Sequence, residues 1–207
     1  MSRKTTVDPW AKAIRHLKKV DPHLKSVIGR VGPCLLAPRE DRLGTLVGAI
    51  VAQQISTKAA ASISERLHAL AGRPYDPHRL LELGEEPLRG CGLSASKARY
   101  VLNLAAAVAD GSAPVDRFDD DWDDDAIIAA LTSIKGVGIW TAHMFLIFAM
   151  NRPDVLPVGD LGVRAAIKAI HELAELPKPP DCHDLTEHWR PYRSVASWYL
   201  WRSLDQR

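Results

Sequence analysis

Apolar residues recur along this chain at intervals of three and four, which places them on one face of an α-helix, and strand-like alternation bounded by turns is scarce. The pattern predicts an all-α protein. Asp8-Pro9-Trp10 sets a capping residue before a proline at the first helical position and opens a helix to about Val20. A short helix over Asp21 to Gly29, a connector over Val31 to Pro38 and an apolar, small-residue helix over about Arg42 to Val51 follow. Ser56 caps a helix over Thr57 to Leu67, and Asp76-Pro77 and Glu86-Pro87 open two short ones. Ser94 to Asp110 forms a longer helix that Gly111 stops. Downstream helices are expected over Ala126 to Leu131, Ile139 to Met150, Leu161 to about Leu176 and Tyr192 to Leu204, with Asn151-Arg152-Pro153 and Pro177-Lys178-Pro179-Pro180 as stops.

A chain of 207 residues can build one compact domain or two small helical lobes. A net charge of +2 neither demands nor excludes a polyanionic partner, so its distribution matters more. Basic residues gather near the N-terminus (Arg3, Lys4, Lys12, Arg15, Lys18, Lys19, Lys25) and return late (Arg190, Arg193, Arg202). Acid is concentrated between Asp116 and Asp125, where negative charge suits the start of the following helix. Three widely separated cysteines argue against a disulfide framework, and no closely spaced four-Cys loop for an iron-sulfur cluster exists. The polar N-terminus lacks the apolar segment of a secretory signal, and the apolar runs are too short or interrupted to span a bilayer. The expectation is a soluble protein of the cytoplasm, nucleoid-associated if bacterial, with no membrane partner.

The chemistry concentrates between Ser133 and Asp160. Lys135-Gly136-Val137-Gly138 joins two helices, and its glycines permit positive φ and close backbone approach. The amides opening the second helix then point outward, where the helix dipole favours a phosphate. Lys135 adds a counter-charge, and Thr141 lies one turn further on. An ordinary αα-hairpin turn is equally consistent with these residues alone. Asp160 stands directly before Leu161-Gly162-Val163, so it either caps that helix or is a carboxylate held there for chemistry.

The segment LTSIKGVGIWTAHMF from Leu131, followed by VGD at Val158 to Asp160, resembles the helix-hairpin-helix and essential Asp of the HhH-GPD DNA glycosylase superfamily. Three further blocks share the resemblance: LVGAIVAQQISTKAA at Leu46 to Ala60, GLSASKARYVLNLA at Gly92 to Ala105, and WRPYRSVASWYLWR at Trp189 to Arg202. Together they are most similar to the AlkA-type 3-methyladenine DNA glycosylase II family. That resemblance implies a two-lobed helical core with the active-site cleft between lobes. The whole chain, 1–207, then forms one unit, with lobe one over about 42–150 containing the hairpin 135–138, and lobe two over about 1–41 plus 151–207. The additional N-terminal domain of the family's type member has no room in a chain this short.

The resemblance also implies an activity. A monofunctional N-glycosylase of base excision repair would flip alkylated bases of the 3-methyladenine or 7-methylguanine type from double-stranded DNA and hydrolyse them off, acting as a monomer. Asp160 is the implied catalytic carboxylate. The position that carries a Schiff-base Lys in other superfamily members, two residues after the second hairpin glycine, is Trp140 here, which implies no lyase activity. Trp140 and Trp201 are the implied base-pocket aromatics, with Tyr192 and Trp198 further candidates, and six tryptophans against three phenylalanines suit such a pocket. The family's second pocket aromatic is Met144 here, a departure that leaves substrate range open. Gln54 is the favoured wedge for the gap left by the flipped base, with Gln53 as the alternative. The phosphate grip falls to Lys135, Gly136, Val137, Gly138 and Thr141. No cofactor is required, although a structural sodium or potassium ion on the backbone carbonyls of Thr132, Ile134 and Val137 is compatible with the family pattern. A non-enzymatic DNA-binding module and a glycosylase for deaminated or oxidised bases stay open as alternatives.

Overall fold

The computed structural model describes residues 8–204, so Arg3 and Lys4 of the basic cluster lie outside the described residues. Among the described residues it consists of twelve α-helices and one 3-10 turn, with no strand. In chain order the helices are α1 (Ala11–Val20), α2 (Pro22–Val31), α3 (Arg42–Ala52), α4 (Thr57–Ala71), α5 (Pro77–Leu83) and α6 (Glu85–Gly90). They continue as α7 (Ala95–Ala109), α8 (Asp124–Thr132), α9 (Ile139–Phe148), α10 (Leu161–Ile170), α11 (Pro179–Thr186) and α12 (Arg193–Leu204), with the 3-10 turn at Glu187–Trp189. Two compact units divide the described residues: a central one over Pro38–Asn151, and a terminal one made of residues 8–37 and 152–204.

The central unit is organised on α3, whose Leu46, Val47 and Ile50 are fully buried and which packs against α4, α7 and α9. Its elements start where polar side chains satisfy the free amides of a helix beginning. Asp41 accepts the Gly44 N–H at 2.6 Å, Ser56 Oγ accepts Ala59 N–H at 3.2 Å and Ser94 Oγ accepts Lys97 N–H at 3.2 Å. Part of the acidic run becomes the first turn of α8, where Asp124 and Asp125 face the positive end of the helix dipole.

The terminal unit is built by α2 and α10 packing on α12, with α1 against α2. Residues 193–200 of α12 are all buried, which explains why this helix shows no polar stripe. Arg193 is carried into that interior by Asp154, whose carboxylate accepts its Nε at 2.8 Å and its Nη2 at 3.0 Å. At the start of α2, Asp21 is only 1% exposed, and it accepts Leu24 N–H at 2.9 Å, the Trp189 indole N–H at 2.7 Å and a His188 Nε2 contact at 3.1 Å.

Two expectations are corrected in this unit. The helix from Leu161 ends at Ile170 rather than near Leu176. Glu172 turns into the left-handed region at φ 52°, and Leu173 N–H reaches back to the Lys168 carbonyl at 3.0 Å, closing the helix early. The proline-rich stretch at 177–180 is a start as well as a stop. Pro179 takes the first position of α11, where its missing N–H costs nothing, and Lys178 N–H donates to Asp181 Oδ2 at 2.9 Å. The three cysteines are free and buried, and burial pushes the Cys34 thiol up to about 11. No helix of the described residues is long and apolar enough to cross a membrane.

Candidate functional site

In the central unit the turn between α8 and α9 is closed by Val137 N–H donating to the Ile134 carbonyl at 3.0 Å. Gly136 occupies its third position at φ 105°, as a type II turn requires. A β-carbon on Gly136 would overlap the Tyr100 ring, so the absence of a side chain serves close packing as well as backbone freedom. Asn103 Nδ2 donates to the Lys135 carbonyl at 3.1 Å and fixes the same turn. Gly138 then caps α9 in an extended conformation and has no side chain to occupy the first helical amides. Lys135 and Gly138 are exposed, whereas the Val137 side chain is turned inward at 4% exposure. The outer face of this turn is a set of backbone donors at a helix start, suited to an anion.

Gln53 sits where α3 ends. Its Nε2 donates to the Gly136 carbonyl at 3.2 Å and to Thr141 Oγ1 at 3.1 Å. Thr141, grouped with the phosphate grip from sequence, is 1% exposed, so its hydroxyl supports the turn from inside and does not reach solvent. Gln54 is exposed and adopts a left-handed φ of 56°, unusual for a residue with a β-carbon. Lys97 Nζ donates to the carbonyls of Val51 at 2.8 Å and Gln53 at 2.7 Å, and burial holds its pKa below the ordinary lysine value. On α9, Trp140 is partly exposed and Met144 is buried at 7%.

In the terminal unit Asp160 caps α10. Its Oδ1 accepts Val163 N–H at 2.8 Å and the Trp201 indole N–H at 3.1 Å, so a helix start and a tryptophan from α12 jointly fix the carboxylate's orientation. Gly162 makes room for this meeting: a β-carbon there would stand 3.0 Å from Asp160 Oδ1 and 3.5 Å from the Trp201 ring. Trp198 is buried at 6%, edge-on to Tyr199 at 5.0 Å and with the Arg202 guanidinium over its ring at 5.5 Å. Tyr192 is partly exposed and lies edge-on to His16 at 5.5 Å. Of the candidate pocket residues, Trp140 and Met144 therefore belong to the central unit, and Asp160, Tyr192, Trp198 and Trp201 to the terminal one.

Among the described residues no group of three or more His, Cys, Asp or Glu side chains is arranged to hold a metal ion. Sequence reasoning missed Tyr100, Asn103 and Gly162. Lys97, Tyr100 and Asn103 recur every three residues along α7, a spacing that brings successive side chains toward one side of a helix. Their polar identities alone read as solvated surface.

The chain is similar to known proteins over most of its length. Residues 47–191 match the model of the HhH-GPD superfamily base excision DNA repair proteins. DNA-3-methyladenine glycosylase 1 of Schizosaccharomyces pombe is 32% identical over 202 residues, covering 95% of this chain and 89% of that protein. The solved structure of an S. pombe 3-methyladenine DNA glycosylase in complex with abasic DNA superposes with a TM-score of 0.86 at 31% identity, covering 94% of this chain and 97% of that one. A DNA-3-methyladenine glycosidase from Bacillus halodurans superposes with a TM-score of 0.73 at 32% identity, covering 96% and 90%. By sequence over most of its length and by fold, this chain belongs to the HhH-GPD superfamily of base excision DNA repair proteins.

Proposed function

We propose that this protein is a monofunctional DNA N-glycosylase that turns an alkylated base of the 3-methyladenine or 7-methylguanine type out of double-stranded DNA and hydrolyses its N-glycosidic bond, leaving an abasic site. The observation that carries the reading is the Asp160 carboxylate, oriented by Val163 N–H and the Trp201 indole. It stands in a chain similar along 95% of its length to a named 3-methyladenine glycosylase.

As the bond between C1′ and the base nitrogen breaks, its electron pair leaves with the base and positive charge grows on the sugar. A carboxylate held at a fixed orientation stabilises that charge without reorganising, and it can accept a proton from the water that adds to C1′. Alkylation at a ring nitrogen makes the base cationic, so it departs without being protonated first. One acid group then suffices where sugar hydrolases use two. Trp140 and Trp201 offer indole faces to such a cation, with Tyr192, Trp198 and Met144 as further pocket candidates. Gln54, exposed on its left-handed turn, is the side chain assigned to the gap in the duplex.

The turn at 135–138 grips a phosphate through the opening amides of α9, assisted by Lys135. Its carbonyls suit a monovalent cation: Ile134 O gives one lone pair to Val137 N–H and keeps the other, and Thr132 and Val137 would complete the set. Such an ion, held by those carbonyls, would supply positive charge at the turn. Trp140 replaces the amine an imine needs, so the enzyme has no strand-cleaving step. We further assign it to act as a monomer on the genome inside the cell.

The test is a panel of duplexes carrying 3-methyladenine, 7-methylguanine, hypoxanthine or 8-oxoguanine. Release of the methylated bases with strands that break only after alkali is the expected result. Breakage before alkali overturns the monofunctional assignment, and selective removal of 8-oxoguanine overturns the alkylated substrate class.

A further inference from the structure

Two turns of the central unit are joined by one side chain. The segment after α3 carries Gln54 on a left-handed backbone, and the α8–α9 turn carries the outward amides. Gln53 links them, with both hydrogens of its amide nitrogen in use: one to the Gly136 carbonyl in the turn, one to Thr141 Oγ1 a few residues further on. Its own carbonyl accepts from Lys97 Nζ at 2.7 Å. The base of the arrangement is α7. Lys97 secures the end of α3, Tyr100 packs where a β-carbon on Gly136 would stand, and Asn103 secures Lys135.

This pattern is more than local satisfaction of polar groups. A residue at φ 56° with a β-carbon persists only where its surroundings over-determine it, and Gln54 is preceded by a residue fixed through both its side chain and its carbonyl. Thr141 is almost fully buried, so the Gln53 contact to it is shielded from competing water. A Leu of similar length in place of Gln53 would fill the space but could donate to neither acceptor. A Glu there could accept from Thr141 but would set a carboxylate against the Gly136 carbonyl.

We propose that Gln53 is a positioning residue that couples the phosphate-gripping turn to the Gln54 turn, so that seating the backbone and filling the gap behind a flipped base become one rigid-body event. Lys97 holds the coupled element from α7. The proposal rests on the glycosylase reading above and deepens it. It assigns Gln53 a task inside the protein and leaves contact with the base stack to Gln54.

The test compares the parent protein with Gln53→Leu, Gln53→Glu and Thr141→Val. Binding to an undamaged duplex is read by fluorescence anisotropy, single-turnover excision on a 7-methylguanine duplex, and flipping by the fluorescence rise of a 2-aminopurine placed beside the lesion. With Gln53→Leu, affinity for undamaged duplex stays within about twofold of the parent, because the amides of the grip are backbone groups. Excision falls roughly 10- to 100-fold, the cost of a modest misplacement of a reacting pair. The fluorescence rise shrinks in parallel, and Gln53→Glu is at least as impaired. Thr141→Val removes one of the two acceptors while keeping shape, so it gives an intermediate loss and keeps the proposal decidable if the Gln53 variants fail to fold. Parental excision and flipping in Gln53→Leu, or in Thr141→Val if it is the only variant that folds, overturn the proposal. So does an equal loss of undamaged-duplex binding, which would make Gln53 part of the grip itself. Failure of the parent protein to excise any methylated base overturns the glycosylase reading instead, and is read from the parent alone.

Discussion

Two helices of the terminal unit begin in the same way, and their capping carboxylates stand in different surroundings. Asp21 before α2 and Asp160 before α10 each accept the backbone N–H three residues on, at 2.9 and 2.8 Å, and each accepts a tryptophan indole N–H, at 2.7 and 3.1 Å. Their surroundings differ. Asp21 is 1% exposed and ringed by His188 and His171, whereas Asp160 is partly exposed. An Asp cap braced by an indole is thus a general way to fix a carboxylate. What distinguishes the two is access, which local sequence does not encode.

The sharpest way to break this pairing is to remove Asp21. Asp21→Ala deletes a cap and leaves the buried Trp189 indole without its acceptor, so stability should fall by about 2–4 kcal/mol. Excision per folded molecule should hold, as urea melts and activity measured well below the midpoint would show. Next in size is the indole of the other pair. Trp201→Phe keeps a ring but loses a hydrogen bond to a charged group, of a kind worth about 1.5–3 kcal/mol, so single-turnover excision should drop roughly tenfold or more. Trp189→Phe should destabilise the fold and leave the rate alone, and equal kinetic losses in both variants would erase the distinction.

A gentler effect is the pH dependence that surrounds Asp21. Burial alone would raise the Asp21 pKa, but hydrogen bonds from Leu24 N–H, Trp189 and His188 and the nearby His171 prevail and hold it below 3.8. Burial pushes His171 below 6.5 against the pull of Asp21, with His23 and His188 pushing the same way as burial. Both folded-state pKa values are depressed, so both contributions to stability are intact at neutral pH. That of His171 declines as pH falls below 6.5, and that of Asp21 is lost only below 3.8. The melting temperature should therefore fall from about pH 7 to about pH 5, and His171→Gln should flatten that slope. The smallest effect is expected at Gly162→Ala, whose β-carbon would press on Asp160 Oδ1 from 3.0 Å and slow excision by about two- to fivefold with little change in stability.

Much of the helical order could be read from the chain because its signals are local. Ser56, Ser94 and the Asp76-Pro77 pair cap the helices that their spacing predicts. The early end of α10 and the start of α11 were not legible, because a left-handed Glu172 and a proline-rich stretch carry no strong preference for where a helix resumes. At the site, Asp160 and the 135–138 turn stand out through glycine placement and the following helix. Gln53 is marked only as an alternative wedge, and Lys97 and Asn103 not at all, since the partners of all three lie 32 to 88 residues away and are in most cases backbone carbonyls, which leave no mark on composition. The sequence marks Trp201 as a candidate pocket aromatic, but its hydrogen bond to Asp160 spans 41 residues and emerges only from the packing of α10 on α12.

The central claim is that Asp160 does chemistry beyond capping α10, and Asp160→Asn addresses it directly. The amide oxygen can still accept Val163 N–H, so the melting temperature should stay close to that of the parent. Single-turnover release of 7-methylguanine from a duplex should fall by at least about 100-fold, the scale of removing one fixed electrostatic group from a transition state. Release at the parental rate by a folded Asp160→Asn protein would contradict the account and leave Asp160 with the same purely structural role as Asp21.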